Sequence, residues 1–511
     1  MLSDQICKTP DPESSISVTN AISPISTSTS TCTTNMAGAS ASATASASAT
    51  ATASATATAS ASASASASAS ASCGQRILAV PRGFRDFHPH EMVIRKEMFS
   101  KIERVFLLHG AQTIETPVLE LKDVLFGQYG DQGKLVFDMD DQGGGLCSLR
   151  YDLTVPFARY MAQYGKSSMK RFQIAQVYRR DIPNVSKGRY RGFIQCDFDI
   201  AGDFGFMIPD AEVICVVNEV LQNFDLMFQI MVNYKPLLDA ILQLCGVPSD
   251  KYLTTCSSID KLDKEPWNSV AAELIEKGLD PTVVECIREH ITLSGPPKSV
   301  LEKLRTKYPN FTGVLDELAV LIGYLEAFGV LDHVFFDMAL CRGLSYYTGV
   351  IFEAVLVGAD ADVVGVGSIA AGGRYDNLIG TFGKTPIPSV GCSIGVERLF
   401  AIMEAKTPAV STKSQTFVFV THIGGENTQL KVFELCAKFW ANGIVAEYPY
   451  KPSKMKDQIE AVLKKEIPWM VLVAENELSQ GNVVVKDIIG KVQTQIPIAQ
   501  VIDFIKTKIR Q

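Results

Sequence analysis

A chain of 511 residues, 47% apolar and 20% charged, has material for several cores and the balance of a soluble globular protein. No run approaches the roughly 18 unbroken apolar residues that a spanning helix needs, so no membrane partner is expected. Twelve cysteines without a C-x-x-C pair and six histidines without H-x-x-x-H argue against a locally spaced zinc site or a disulfide framework, while the net charge of −7 excludes only a uniformly basic coat.

Residues 1–74 are a different material. An almost pure Ala/Ser/Thr tract over 37–72 carries no charge and no large apolar group, so it cannot form a core and is expected to be disordered. Lys8 stands alone against Asp4, Asp11 and Glu13, unlike an Arg-rich, acid-poor import peptide. A cytoplasmic location is therefore expected over a mitochondrial one. Neither the role of the tract nor the use of Met36 as a second start is legible.

Order is expected from about residue 75. Over 91–109, Ile94, Met98, Ile102 and Val105 fall on one helical face before Gly110. From there to about 228 short β-rich runs, such as 169–177 and 192–200, predict an antiparallel sheet. Residues of about 236–330 read as a helical insertion. Strand-like runs return over 333–357 and 363–371, and 391–404 reads as a strand or turn entering a helix, closing a body over 75–406. Residues 407–415, with Pro408, suit a linker. Beyond it, strands at 416–421, 444–448 and 469–474 alternate with helices at 429–441 and 453–465, which predicts a mostly parallel α/β domain over 416–511. The fold class is α/β, with an α+β body.

Four runs carry the chemistry. SLRYDLTVPFARY (148–160) and the stretch from QVYRRD to GRYRGFIQCDFD (176–199) mix ions with apolar strand residues. In the second, Arg179, Arg180, Lys187, Arg189 and Arg191 crowd into 13 positions, which suits an anion docking on a strand-turn-strand unit, though a solvated basic hairpin reads equally well. CRGLSYYTGVIFEAV (341–355) sets one arginine beside a glycine and two tyrosines. GVGSIAAGGRYDNL with VGCSIGVERLF ends in Glu397 and Arg398. Within it, Gly391-x-Ser393-x-Gly395 imitates a hydrolase elbow, but the only later histidine, His422, falls in a different domain. Gly365-x-Gly367-x-x-Ala370 imitates a dinucleotide fingerprint without its helix or distant acid.

In these four runs the chain resembles the histidyl-tRNA synthetases, of the eukaryotic type, from about Val80 onward. The Arg179 hairpin resembles class II motif 2 and GVERLF motif 3. RGLSYYTG and GGRYD resemble signatures particular to the histidine enzyme. The resemblance implies a class II antiparallel catalytic body and a three-layer anticodon-binding domain. It also implies a homodimer built through the helix from Glu91, with L-histidine, ATP and tRNA(His) as partners.

Activation presses a carboxylate against a phosphate, so fixed cations are needed there. The resemblance gives Arg179 the α-phosphate and the substrate carboxylate, Arg398 the ATP tail, and Arg342 the place where other class II enzymes hold a metal ion. Asp181 and Arg189 complete the ATP contacts. Asp152, Leu153 and Thr154 take the ammonium end and Gln195 the carboxylate end, while Asp199, Tyr346 and Tyr347 read the imidazole. Arg342, Arg179 and Gln195 are the catalytic set. Mg2+ is expected to travel with ATP, with no protein-held metal and no tightly bound cofactor. Lys451, Lys454, Lys456, Lys464 and Lys465 offer a tRNA surface.

Each residue has a bland rival: Asp152 capping a turn, the tyrosines packing a core, Arg342 in a structural ion pair. The chain departs from the family in having Ser345 for aspartate and Cys341 for alanine, with Gly192 and Gly145 at commonly acidic places. Two other functions fit parts of the pattern: a non-catalytic histidine sensor, and an amide ligase that never meets tRNA.

Overall fold

The computed structural model describes residues 78–509 apart from 126, 141–142, 186–187, 342–345, 359–360, 362–366, 407–413 and 452. The Ala/Ser/Thr tract, Met36, Lys187, Arg342, Ser345 and most of the expected linker therefore lie outside the described residues.

Helix α1 (Pro89–Leu108) opens the body. Pro89 suits a first helical turn, whose amide protons have no partner inside the helix, and Glu91 accepts the His88 amide proton at 2.6 Å. Of the expected stripe, Met98, Ile102 and Val105 are buried and Ile94 is half-buried against the core, while Phe106 and, among them, Arg95 are buried as well. Next come β1 (Gln112–Thr113), β2 (Leu119–Leu121), α2 (Lys122–Leu125), β3 (Cys147–Leu149) and α3 (Thr154–Gln163). The long hairpin β4 (Met169–Tyr178) and β5 (Gly192–Ala201) follows, then α4 (Ile208–Gln222) and β6 (Phe228–Tyr234).

The expected insertion is a run of α-helices: α5 (Lys235–Leu244), α6 (Tyr252–Ile259), α7 (Trp267–Glu276), α8 (Pro281–Ile291), α9 (Pro297–Lys307) and α10 (Thr312–Ala327). The short β7 (Ser294–Gly295) interrupts it. The run ends at β8 (Val334–Asp337), which pairs parallel with β6. Parallel neighbours need a long crossover, and these helices supply it. The body closes with β9 (Val350–Leu356), β10 (Ala370–Arg374), α11 (Leu378–Phe382), β11 (Ser389–Gly395) and α12 (Val396–Lys406).

The main sheet runs β1-β4-β5-β11-β10-β9-β6-β8-β7. It is antiparallel through its centre, as expected, with parallel pairs at β1·β4 and β6·β8. Its two faces differ sharply. Cys196, Phe198, Ile200, Val390, Cys392, Ile394 and Phe352 face a large apolar core shared with α1, α4, α10 and α12. The alternate positions, Gln195, Asp197 and Asp199, are polar and still buried. Strand side chains alternate between faces, so QCDFDI already encodes one oily and one ionic face. Tyr129, Tyr151, Phe157, Met161 and Tyr375 cover the ionic one.

The C-terminal part has its own sheet, β13-β12-β14-β15-β16. Its elements are β12 (Val418–Ile423), α13 (Glu426–Ala441), β13 (Ala446–Glu447), α14 (Met455–Lys464), β14 (Trp469–Ala474), α15 (Glu475–Ser479), β15 (Asn482–Asp487), β16 (Val492–Pro497) and α16 (Val501–Ile509). Val418, Val420, Val471 and Val473 pack with α13 and α16. Phe419 and Met470 point the other way, onto Val462 and Ile459 of α14. Three layers result, with β12, β13 and β14 parallel and β15 and β16 antiparallel.

Candidate active site

The register across the main sheet brings the site together. Arg171 lies opposite Asp199, Gln173 opposite Asp197, and Asp197 opposite Ser393. All therefore stand on the ionic face. Asp199 lies opposite Gly391, where a Cβ would come within 1.9 Å of its Oδ1. Gly372, one strand further, would drive a Cβ to 2.1 Å from the Gly391 carbonyl oxygen. Only glycine permits this close approach of strands and carboxylate.

Arg171 is fully buried, with its guanidinium 4.5 Å over the Phe157 ring. Its Nη2 donates to the Leu153 carbonyl at 3.0 Å and lies 2.7 Å from Asp199 Oδ2, an ion pair without full hydrogen-bond alignment. Tyr375 donates to Asp199 Oδ1. Both oxygens of the expected ring-reading carboxylate thus already have a neighbour. Burial raises the Asp199 pKa, and Arg171 opposes the shift. Burial likewise pushes Asp197 up to about 7, against Arg171 and reinforced by Asp199. Two buried carboxylates sharing one cation titrate as a pair, each held above the ordinary carboxylate range.

Asp152 is a second buried hub. It accepts from Tyr129 at 3.0 Å, from the Val155 amide at 3.1 Å and from Tyr346 at 3.5 Å. The Val155 bond is the expected turn cap, and the two tyrosines add to it. Burial raises the Asp152 pKa, opposed by the Val155 bond and Arg179. Leu153 is fully buried and Thr154 begins α3, its hydroxyl in a side-chain hydrogen bond with Tyr346. Tyr346 packs edge-on against Tyr347 and Tyr375, at 5.3 and 6.0 Å between centroids.

Arg179 follows the end of β4, where its amide donates to the Arg191 carbonyl at 2.8 Å. Its guanidinium lies 4.3 Å over Tyr151 and 5.1 Å from Phe193, with Nε donating to the Tyr151 carbonyl at 3.1 Å. No carboxylate among the described residues forms an ion pair with it. A cation held flat by two rings, with no ion-paired carboxylate among the described residues, is prepared for an anion. Arg398 extends from α12, donating to the Ser368 carbonyl. A Cβ on Gly188, in the β4–β5 loop, would stand 3.2 Å from the Arg398 Cα, so the loop and α12 abut. In that loop Arg189 is exposed, and Asp181 accepts Arg191 Nε through its carbonyl at 3.0 Å. Arg342 lies outside the described residues, as do Gly343 and Leu344 of its motif.

Gln195 donates Nε2 to Ser393 Oγ at 2.6 Å, while its buried Oε1 has no partner among the described residues. Arg171 Nε and Nη1 and Asp197 Oδ1 are likewise unsatisfied. Most such atoms among the described residues fall on this one face. Buried polar groups without partners are costly and concentrate where a ligand completes them. A cavity of about 260 Å³ opens beside Tyr346, bounded by Gln128, Thr348, Asn377 and Thr381. A larger one, about 540 Å³, lies between Phe417, Leu463 and Ile489. Of the two, only the first touches an expected site residue, Tyr346.

Several supporting residues escaped the sequence reading: Arg171, Tyr129, Tyr375, and the pair of Arg95 with Glu397. Arg95 Nη1 and Nη2 reach Glu397 Oε2 and Oε1 at 2.5 and 2.9 Å, both residues buried, tying α1 to the turn that carries Arg398. Polar residues inside apolar periodicity, as at Arg95 and Arg171, were the available signal. In the C-terminal part, Lys451, Lys454, Lys456, Lys464 and Lys465 are all exposed around α14, Lys465 pairing with Glu447 at 2.7 Å.

Comparison with known proteins gives one family. The model of histidyl-tRNA synthetase matches residues 83–399, and that of an anticodon binding domain matches 415–508. A cytoplasmic histidine–tRNA ligase of Dictyostelium discoideum is 45% identical over 430 residues, 82% of this chain and 88% of the relative. A mitochondrial histidine–tRNA ligase of Mus musculus is 41% identical over 438 residues, 82% of this chain and 86% of the relative. Among solved structures, a histidyl-tRNA synthetase from Nostoc superposes with a TM-score of 0.70 at 26% identity, covering 85% of this chain and all of that one.

Proposed function

The chain belongs to the histidyl-tRNA synthetases, and from that premise we propose how its residues activate L-histidine with ATP and charge tRNA(His). The histidine carboxylate attacks the α-phosphorus, an acyl–phosphate bond forms, the bond to the β-phosphate breaks and pyrophosphate leaves. A ribose hydroxyl at the tRNA 3′ end then attacks the activated carbonyl and AMP leaves.

Arg179 receives the α-phosphate and the substrate carboxylate, Arg342 grips both, and Arg398 holds the ATP tail with Asp181 and Arg189 beside it. These cations offset charge that grows on the phosphoryl oxygens. Asp152, with Leu153 and Thr154, takes the substrate ammonium. Gln195 meets the carboxylate end, its buried Oε1 having no hydrogen-bond partner among the described residues. Tyr346, Tyr347 and Asp199 bound the imidazole, which offers one donor and one acceptor for a pocket to test. Arg171 and Tyr375 set the orientation of Asp199.

Mg2+ arrives with the ATP phosphates, whose negative charge it shares. Asp152, Asp197 and Asp199 are buried and engaged with tyrosines, Arg171 or Ser393, so they do not form an open carboxylate cage for a second ion. No tightly bound cofactor is required. Residues 75–406 form the catalytic body around a 236–330 insertion, 407–415 link it onward, and 416–511 bind the anticodon through the lysines about α14. The chain works as a cytoplasmic homodimer; its relatives include cytoplasmic and mitochondrial forms.

The observation that carries this mechanism is Arg179, stacked over Tyr151 with no carboxylate partner among the described residues, next to the Asp152–Tyr346 pair. Charging of bulk tRNA with labelled histidine tests it. Histidyl-tRNA is expected. Adenylate without charging would make the chain an amide ligase, and neither product would make it a sensor.

A further inference from the structure

Outside the active site, the insertion brings three soft metal ligands together from distant positions. Cys245 ends α5 and is buried, while Cys286 and His290 stand one turn apart on α8 and are half-buried. The two sulfurs lie 3.0 Å apart although 41 residues separate them in sequence. A ring nitrogen of His290 joins them, every ligand atom lying within 4.8 Å of the others. The absence of C-x-x-C and H-x-x-x-H spacing could not reveal this group, because one ligand comes from a different helix.

We propose that Cys245, Cys286 and His290 bind a thiophilic d10 ion, Zn2+ by ordinary availability, with three protein ligands and an open fourth position, linking the end of α5 to α8. Three observations support a metal over a chance cluster. Two cysteines and a histidine are the donor set zinc prefers. Cys286 and His290, four residues apart on one helix, present their donors on one side, the arrangement that lets one helix give two ligands. His290 Nδ1 is hydrogen-bonded to the Tyr308 hydroxyl at 2.8 Å, with the ring of Tyr308 5.6 Å away. That partner holds the imidazole ring in place beside the two thiols, as outer hydrogen-bond partners do at established metal sites. With Zn–S bonds of about 2.3 Å at a tetrahedral angle, the sulfurs must part by less than about 1 Å, within reach of a rotamer adjustment. The half-buried Cys286 and His290 give the ion an entry path and leave a fourth position to water.

The second histidine cluster is a poorer host. His109 shares its two ring nitrogens between Glu212 and Glu219, at 3.1 and 3.3 Å, leaving no lone pair for an ion.

The full chain, purified under reducing conditions after growth with zinc, is analysed for metal by mass spectrometry. The expected content is about one Zn2+ per chain, falling about tenfold or more in Cys286→Ser and in His290→Gln but not in Cys256→Ser, a thiol of the same insertion outside the cluster. Because variants can fail to fold, the unmodified chain supplies a second readout. Alkylation of Cys286 by iodoacetamide should quicken about tenfold when a zinc chelator is added, and Co2+ added to the stripped protein should give a thiolate charge-transfer band. A metal-free chain, zinc retained equally by both ligand variants, alkylation indifferent to chelator, or a Cys245–Cys286 disulfide in unreduced digests would overturn the proposal.

Discussion

Arg95→Met isolates what the buried bridge between α1 and α12 contributes. Arg95 and Glu397 are 2% and 4% exposed, and the Ile194 amide is a further donor to Glu397, at 3.3 Å. The guanidinium also lies 3.9 Å over Phe87, so methionine keeps much of the packing while removing the charge. What remains is a buried carboxylate with one backbone donor. Breaking one side of a buried pair costs about 3–5 kcal/mol, whereas replacing both sides by apolar residues of similar volume is often close to neutral. Arg95→Met and Glu397→Leu should each cost about 3 kcal/mol or more, and the double variant much less than their sum. At a urea slope of about 3 kcal/mol/M, each single change lowers the midpoint by about 1 M. Trp267 belongs to the insertion, while Trp440 and Trp469 lie in the C-terminal part. Fluorescence in a Trp440→Phe, Trp469→Phe background therefore follows the catalytic body alone. Strict additivity of the two single changes would refute the reasoning.

Asp152→Asn should lower kcat/KM for histidine by roughly 10- to 150-fold in pyrophosphate exchange, as expected for a lost charged hydrogen bond of about 1.5–3 kcal/mol, with the fold unchanged by circular dichroism. Gly372→Ala should cost more than about 3 kcal/mol, since its Cβ meets a backbone oxygen that cannot turn away; a normal thermal midpoint would contradict that packing. The bond to Glu212 raises the pKa of His109, against burial and with help from Glu219, while Lys170 shares Glu212 at 2.7 Å. A raised folded pKa gives stability that is complete below about pH 6.5 and lost as pH rises through the folded value. The thermal midpoint should fall over that rise, and His109→Gln should flatten the slope.

Local rules made part of this molecule readable. The stripe Met98, Ile102 and Val105 fixed α1, and β/α alternation fixed the C-terminal order as far as β14. The antiparallel β15 and β16 escaped because the apolar run of β15, Val483 to Val485, is only three residues long, and β16 is mostly exposed and polar. The parallel pairing of β6 with β8 is not legible either, since it is decided across a helical crossover of about a hundred residues. At the site, the motif residues Asp152, Tyr346, Tyr347 and Asp199 are linked through hydrogen bonds and ring contacts that pass by Tyr375, and Gln195 stands on the same sheet face as Asp199. Their supports do not announce themselves: Arg171 meets Asp199 and Arg95 meets Glu397 only through pairings made by the fold. Cys245, Cys286 and His290 are the extreme case, three residues unremarkable in order and adjacent in space.

The most direct test of the mechanism is a crystal structure with histidine and a non-hydrolysable ATP analogue bound. The account predicts Arg179 and Arg342 at hydrogen-bond distance from the α-phosphate, Arg398 on the nucleotide tail and the imidazole between Asp199 and Tyr347. Guanidinium groups turned away from the phosphates, or an imidazole outside that pocket, would contradict it.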